Sequence, residues 1–218
     1  MTSIEDQIFK NYWSRKRLLE GKIPFFPVKR WLLLENLCEI EQIYFESIKN
    51  CKSLLDVGAG DLRLMKKFVR AGYRGEYHTQ DISAEHPHTY QHLSDVDRKF
   101  DAIICMDVIE HMSLHRGLEM IQKMVSLLGA NGILILQTPN ARCVRNPMGG
   151  DMTHLHCYNL PDLWAYLRCE GFQAQGFRIV LSRDEGLIQK LHTFVARFII
   201  TKMIGCDYAD NIAVIGKL

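Results

Sequence analysis

With 218 residues, 47% of them hydrophobic and 24% charged, the chain suits one α/β domain with a buried core and room for an added segment. A net charge of +2 gives no whole-chain case for a polyanionic partner, and no run of about eighteen apolar residues reads as a membrane span. Seven scattered cysteines without a C-x-x-C pair favour free thiols in a reducing compartment over a disulfide framework or zinc site; with no signal-like N-terminus, a cytoplasmic protein is expected.

Residues 1–30 are basic, with Lys10, Arg15, Lys16, Arg17, Lys22, Lys29 and Arg30 interleaved with Tyr12, Trp13, Phe25 and Phe26. Pro24 and Pro27 interrupt any helix there. The arm reads either as a solvated face whose aromatics pack on the domain or as a recruiter of an anionic acceptor. Val28 to Asn50 predicts a helix, with Leu33, Leu37, Ile40, Tyr44 and Ile48 near one stripe. Residues 1–50 are therefore expected as an arm and helical cap ahead of a domain over 51–218.

Ser53 to Val57 is a short apolar run containing one acid, and Gly58 and Gly60 follow at once. Leu62 to Val69 then carries apolar residues at helical spacing, stopped by Gly72. The order predicts a buried strand, a tight glycine turn and a helix. Arg63 occupies the third position of a G-x-G-x-x-G pattern, so the dinucleotide fingerprint fails, and P-loop spacing is absent. The remaining pattern, Asp56-x-Gly58-x-Gly60, would repel a pyrophosphate but suits a ligand carrying an ammonium group. Gly75 to Asp81 predicts a second strand ending in an acid, where a doubly wound fold places a carboxylate on a ribose. A loop and a short third strand are expected before Phe100, with His86, His88 and His92 as solvated loop histidines.

Ala102 to Met106 reads as a core strand that breaks into Asp107-Val108-Ile109-Glu110-His111. Residues from Met106 onward should face a ligand, because such sheets bind beyond the carboxyl ends of their strands. A helix over Ser113–Leu128, a turn at Ala130-Asn131-Gly132 and a central strand over Ile133–Gln137 follow, ended by Thr138-Pro139-Asn140. In the loop after it, His154 and His156 are two residues apart and would project to one face of an extended segment. A histidine has a suitable pKa for taking a hydroxyl proton. A helix with Pro161 in its first turn, a strand over Phe177–Leu181 and a last strand over Asn211–Gly216 complete the domain. Near 187–204 an amphipathic helix is expected, with Leu187, Leu191, Phe194, Val195, Phe198 and Ile199 on one arc. It has three basic residues and no acid, so its face packs on the domain or a twin subunit, or lies on an anionic membrane.

The Asp56–Gly60 turn, Asp81-Ile82-Ser83, the Phe100-Asp101…Glu110-His111 segment and Thr138-Pro139-Asn140 together resemble the class I S-adenosylmethionine-dependent methyltransferases. Within that family they resemble the branch of the ubiquinone-pathway O-methyltransferases and the small-RNA 2′-O-methyltransferases. The likeness covers residues 50–182 and the last strand, and departs at Leu62, where a third glycine is common. It implies a Rossmann-like, doubly wound, seven-stranded, mostly parallel sheet with an antiparallel last strand and an N-terminal helical cap. It implies that Asp56, Gly58 and Gly60 hold the methionine end of S-adenosylmethionine, that Asp81 holds its ribose and that Met106 lines the pocket. Some members bind a divalent metal through an acid-x-x-Glu-His run and a later histidine. Asp107, Glu110 and His111 keep that spacing, with Asp in place of the usual Glu, and metal is the less favoured reading. The expected activity is methylation of a hydroxyl on a small-molecule or glycan-like acceptor, with His154 or His111 as the base. The alternatives are a catalytically silent scaffold of the same fold and a metal-assisted RNA 2′-O-methyltransferase.

Overall fold

The computed structural model of the chain describes residues 36–144, 146–180, 194–196 and 198–218. The basic arm, the start of the expected 28–50 helix, Arg145, the stretch 181–193 and Arg197 lie outside the described residues. The chain forms two compact units, Met1–Ile104 and Cys105–Leu218, which divide within one strand.

The first unit begins with α1 (Glu39–Ile48). The expected helix thus starts only at Glu39 among the described residues; Cys38 is extended, and its N–H donates to the Glu41 carboxylate, which closes the helix start. Tyr44, Phe45 and Ile48 are the buried face. Next come β1 (Ser53–Val57), α2 (Arg63–Arg70) and β2 (Glu76–Gln80). All five residues of β1 are buried, as a strand covered on both faces requires. Lys67 of α2 is buried and pairs with Glu41 of α1 at 2.7 Å, so the cap helix is keyed to the helix behind the glycine turn. Such a pair fixes register more than it adds stability, because both charges lose water.

β3 (Phe100–Met106) crosses into the second unit, which holds α3 (Leu114–Ser126), β4 (Leu128–Pro139), α4 (Leu160–Cys169), β5 (Gln173–Ile179) and β6 (Asn211–Lys217). Asn131 takes a φ of 59°, so the expected turn survives as a kink at the start of β4, and the ladder with β6 begins only at Ile133. Asn159 caps α4 by accepting from the Asp162 N–H, ahead of Pro161 in the first turn. Of the expected 187–204 helix, the described part is helical at 194–196 and a π-helix at Ile199–Ile204; Phe194, Phe198, Met203 and Ile204 are exposed.

The sheet order is β2-β1-β3-β4-β6-β5. β1 and β2 are parallel, and β6 runs antiparallel to both β4 and β5, so the expectation of an antiparallel last strand holds. Seven strands were expected and the described residues form six. The missing one is the short strand between Asp81 and Phe100. There the chain makes a single bridge, Gln80 to Tyr90, and a 3-10 turn at Leu93–Asp95. Val96 is the one buried apolar residue between Asp81 and Phe100, too little to cover a strand face.

Candidate active site

In the first unit the turn after β1 is built by backbone. Gly58 and Gly60 have φ of 75° and 52°, the left-handed region that a Cβ disfavours. The N–H groups of Gly58 and Ala59 both donate to the last carbonyl of β2, Gln80 O, at 2.8 and 3.0 Å. Asp81 Oδ2 accepts from the Gly60 N–H at 2.8 Å and Oδ1 from the Ser83 N–H at 2.8 Å. Asp81, expected on a ribose, therefore also clamps the glycine turn; each of its oxygens keeps a further lone pair. Asp61, just before the N-cap Leu62, accepts from the Arg63 N–H and pairs with the Arg63 guanidinium, which leaves the helix start poorly suited to an anion.

Asp56 lies beneath the turn, 3% exposed, with Oδ2 accepting the Tyr77 hydroxyl at 2.7 Å. Burial pushes its carboxyl up to about 7; the Tyr77 bond opposes the rise and the nearby Asp81 charge adds to it. Two adjacent carboxylates, one of them starved of water, favour a ligand with a positive charge. Tyr77 was not anticipated. It stands on β2 and registers with Leu54, two residues before Asp56, so strand pairing carries the signal.

In the second unit the site is built from side chains. Asp107 follows β3 with φ 55°, and its carboxylate accepts from the amides of Gln137 and Asn211, both at 3.0 Å. Glu110 and His111 lie in a buried 3-10 turn, Ile109–His111. Glu110 Oε2 accepts the Thr138 hydroxyl at 3.0 Å, and the Glu110 carbonyl accepts from the N–H groups of Leu155 and His156. These backbone bonds draw the 150s loop onto the 3-10 turn. The His111 and His154 rings consequently stand 5.0 Å apart, centre to centre.

Donor atoms of Glu110, His111 and His154 all lie within 4.8 Å of one another, the metal-capable group found among the described residues. Asp107 is not one of the three: its carboxylate fastens β4 to β6 instead. His154 Nδ1 is 2.8 Å from the Pro147 carbonyl, and His111 Nδ1 is 3.2 Å from the Thr153 carbonyl. A carbonyl can only accept, so both rings carry a hydrogen on Nδ1, and in the neutral form of each ring the lone pair is on Nε2. His156 packs edge-on against Tyr158 and does not enter the group. Met106 ends β3, half-buried. Sequence reasoning singled out Thr138 only as the end of the central strand, without its bond to Glu110, and missed Pro147 and Thr153, whose roles depend on a loop closing over a distant turn.

Residues 33–182 match the family model of a methyltransferase domain, while no curated protein matches the chain. Among solved structures, a SAM-dependent methyltransferase from Archaeoglobus fulgidus aligns at 18% identity over 93% of this chain and 99% of that one, with a TM-score of 0.67. Magnesium protoporphyrin IX methyltransferase (ChlM) from Synechocystis PCC 6803, with bound SAH, aligns at 16% identity over 98% and 97%, with a TM-score of 0.62. The plantazolicin methyltransferase BpumL in complex with SAH aligns at 12% identity over 98% and 93%, with a TM-score of 0.59. At such identities these likenesses speak for the fold, Rossmann-like and of class I type. The family match spans well over half of the sequence, and with that fold it settles membership: the chain belongs to the methyltransferase domain family.

Proposed function

We propose that the chain is an S-adenosylmethionine-dependent O-methyltransferase acting on a hydroxyl of a small-molecule or glycan-like acceptor. The observation that carries the oxygen acceptor is His154. Its Nδ1–H is fixed on the Pro147 carbonyl, which makes Nε2 the basic nitrogen. The bound cofactor supplies a methyl group already activated on a sulfonium. Gly58 and Gly60 allow the backbone to approach the cofactor's methionine end, and Asp56 receives its ammonium. Asp81 accepts from the ribose hydroxyls with the lone pairs that the turn leaves over. His154 Nε2 takes the acceptor's hydroxyl proton, and the resulting imidazolium is steadied through Nδ1–H by Pro147 O and by the neighbouring Glu110 carboxylate. The buried acid, the positive-φ glycines and the donor-accepting Asp81 fit this cofactor.

A second reading is favoured by the gathering of three donors. Two neutral imidazoles and a carboxylate suit a divalent ion, which Glu110, His111 and His154 would hold and which would position and acidify a hydroxyl. In that case the proton leaves to another base.

Thermal unfolding with S-adenosylmethionine, S-adenosylhomocysteine and NAD in turn tests the cofactor. A ligand at a hundred times its Kd adds about 2.7 kcal/mol, or roughly 5–10 °C for a chain of this size. A shift with the adenosyl ligands alone is expected; no shift with either moves the reading to a silent scaffold. His154→Ala should lower turnover about 10²- to 10⁴-fold and leave the cofactor shift intact. Unchanged turnover would remove His154 from the role. Loss of turnover in EDTA, restored by magnesium, would favour the metal.

A further inference from the structure

Thr153 is 1% exposed, and its hydroxyl bridges two groups. Oγ1 lies 2.7 Å from Asp151 Oδ1 and 2.9 Å from His111 Nδ1. The direction of each bond follows from what the groups can do. Asp151 Oδ1 accepts the Thr153 N–H at 3.0 Å, and an N–H only donates, so Oδ1 is an acceptor here. The Thr153 hydroxyl therefore spends its single hydrogen on Asp151. What it offers His111 is a lone pair, and His111 Nδ1 must carry the hydrogen. The Thr153 carbonyl at 3.2 Å makes the same demand from the same residue.

We infer that Asp151 and Thr153 are positioning residues that hold His111 as its Nδ1–H tautomer and aim Nε2 at the chemistry. The inference rests on the reading that the Glu110–His111–His154 group performs the proton or metal work. The chain runs carboxylate, hydroxyl, imidazole: negative charge at Asp151 polarises the hydroxyl, which in turn strengthens Nε2 as a base or ligand. His154 is held differently, with its Nδ1 on the Pro147 carbonyl. The Asp-x-Thr spacing is also what places the relay: Asp151 bonds both the N–H and the hydroxyl of the residue two positions on, a local turn that orders the segment leading into His154.

The test compares Asp151→Asn, Thr153→Val and Thr153→Ser in the full chain. With the histidines ¹⁵N-labelled, NMR at a pH where they are neutral reads the His111 tautomer in the protein without cofactor. Wild type and Thr153→Ser should show His111 as Nδ1–H. In Asp151→Asn, whose amide can donate as well as accept, and in Thr153→Val, an Nε2–H fraction should appear beside the Nδ1–H form that the carbonyl of residue 153 still favours. Turnover should fall about 10- to 100-fold in these two variants, through kcat rather than KM, and Thr153→Ser should recover most of it. The adenosyl-ligand shift should not change. A pure Nδ1–H signal in Asp151→Asn, together with turnover within twofold of wild type, would overturn the proposal. If Thr153→Val fails to fold, Asp151→Asn carries the test alone. Because the tautomer is read without any methyl transfer, a failure of the enzymatic reading leaves that result standing.

Discussion

The glycine turn of the first unit is made by the backbone from Asp56 to Leu62, clamped by one side chain from the end of β2, Asp81. The histidine group of the second unit draws instead on separated segments: the 3-10 turn at 109–111, Thr138 at the end of β4, and the loop from Pro147 to His156. In the first, the conformation of a few consecutive residues is the site, and its chemistry lies in N–H groups, carbonyls and buried acids. In the second, the chemistry lies in side chains, each oriented by partners on another segment or further along the same loop, backbone carbonyls among them. A backbone-built site should fail through conformation, and a side-chain-built site through lost partners.

The sharpest way to break the first kind is to put a branched residue at a position that needs the left-handed region. Gly60→Val, at φ 52°, should cost about 2–3 kcal/mol and abolish the thermal shift with adenosyl ligands, since the Gly60 N–H that Asp81 holds would be displaced. Urea unfolding with and without S-adenosylhomocysteine measures both effects. A variant that binds normally would mean the turn is not where the cofactor lies.

Asp56 gives a subtler test, through pH. Its folded pKa, about 7, stands above the ordinary 3.8, so the folded state holds a proton that the unfolded state has released between those values. Stability contributed by Asp56 is therefore fullest at low pH and is lost as pH rises from about 4 towards 7. Asp56→Asn removes this dependence. The stability of wild type relative to the variant should fall between pH 5 and pH 8 by up to a few kcal/mol, at about 1.4 kcal/mol per pKa unit. Wild-type affinity for S-adenosylmethionine should run the other way, strengthening as Asp56 ionises, and the variant should bind weakly throughout. A flat difference in stability would show that Asp56 is charged in the folded protein already at pH 5.

Much of this was legible because strand, turn and helix signals are local. The glycines, the acid ending β2 and the apolar run of β3 each announce themselves within a few residues. The third strand was overestimated because fold likeness demanded one that the polar stretch 82–99 cannot bury. Asp107 was grouped with Glu110 and His111 because spacing alone cannot tell a side chain turned towards its neighbours on the chain from one caught by Gln137 and Asn211. Asp151 and Thr153 gave no signal at all. A relay that only orients another group needs no unusual residue, merely the right hydroxyl beside the right ring.

Leu62 is where the two kinds of site can be weighed against each other most finely. It sits at φ 63°, ψ 20°, where the family commonly has glycine, and is the N-cap of α2 without a side-chain cap bond. An L-residue in this region costs roughly 1–2 kcal/mol. Leu62→Gly removes that strain but returns about 0.5–1 kcal/mol of unfolded-state entropy and forfeits part of the burial of a half-buried leucine. These terms nearly cancel, so the expected change is within about 1 kcal/mol, or roughly 2–4 °C in Tm. Cofactor affinity should stay within a few-fold of wild type, because Gly58 and Gly60 already supply the close approach. A loss well beyond this in affinity, at unchanged stability, would mean that the Leu62 side chain itself packs on the cofactor, and that even the backbone-built site depends on one side chain.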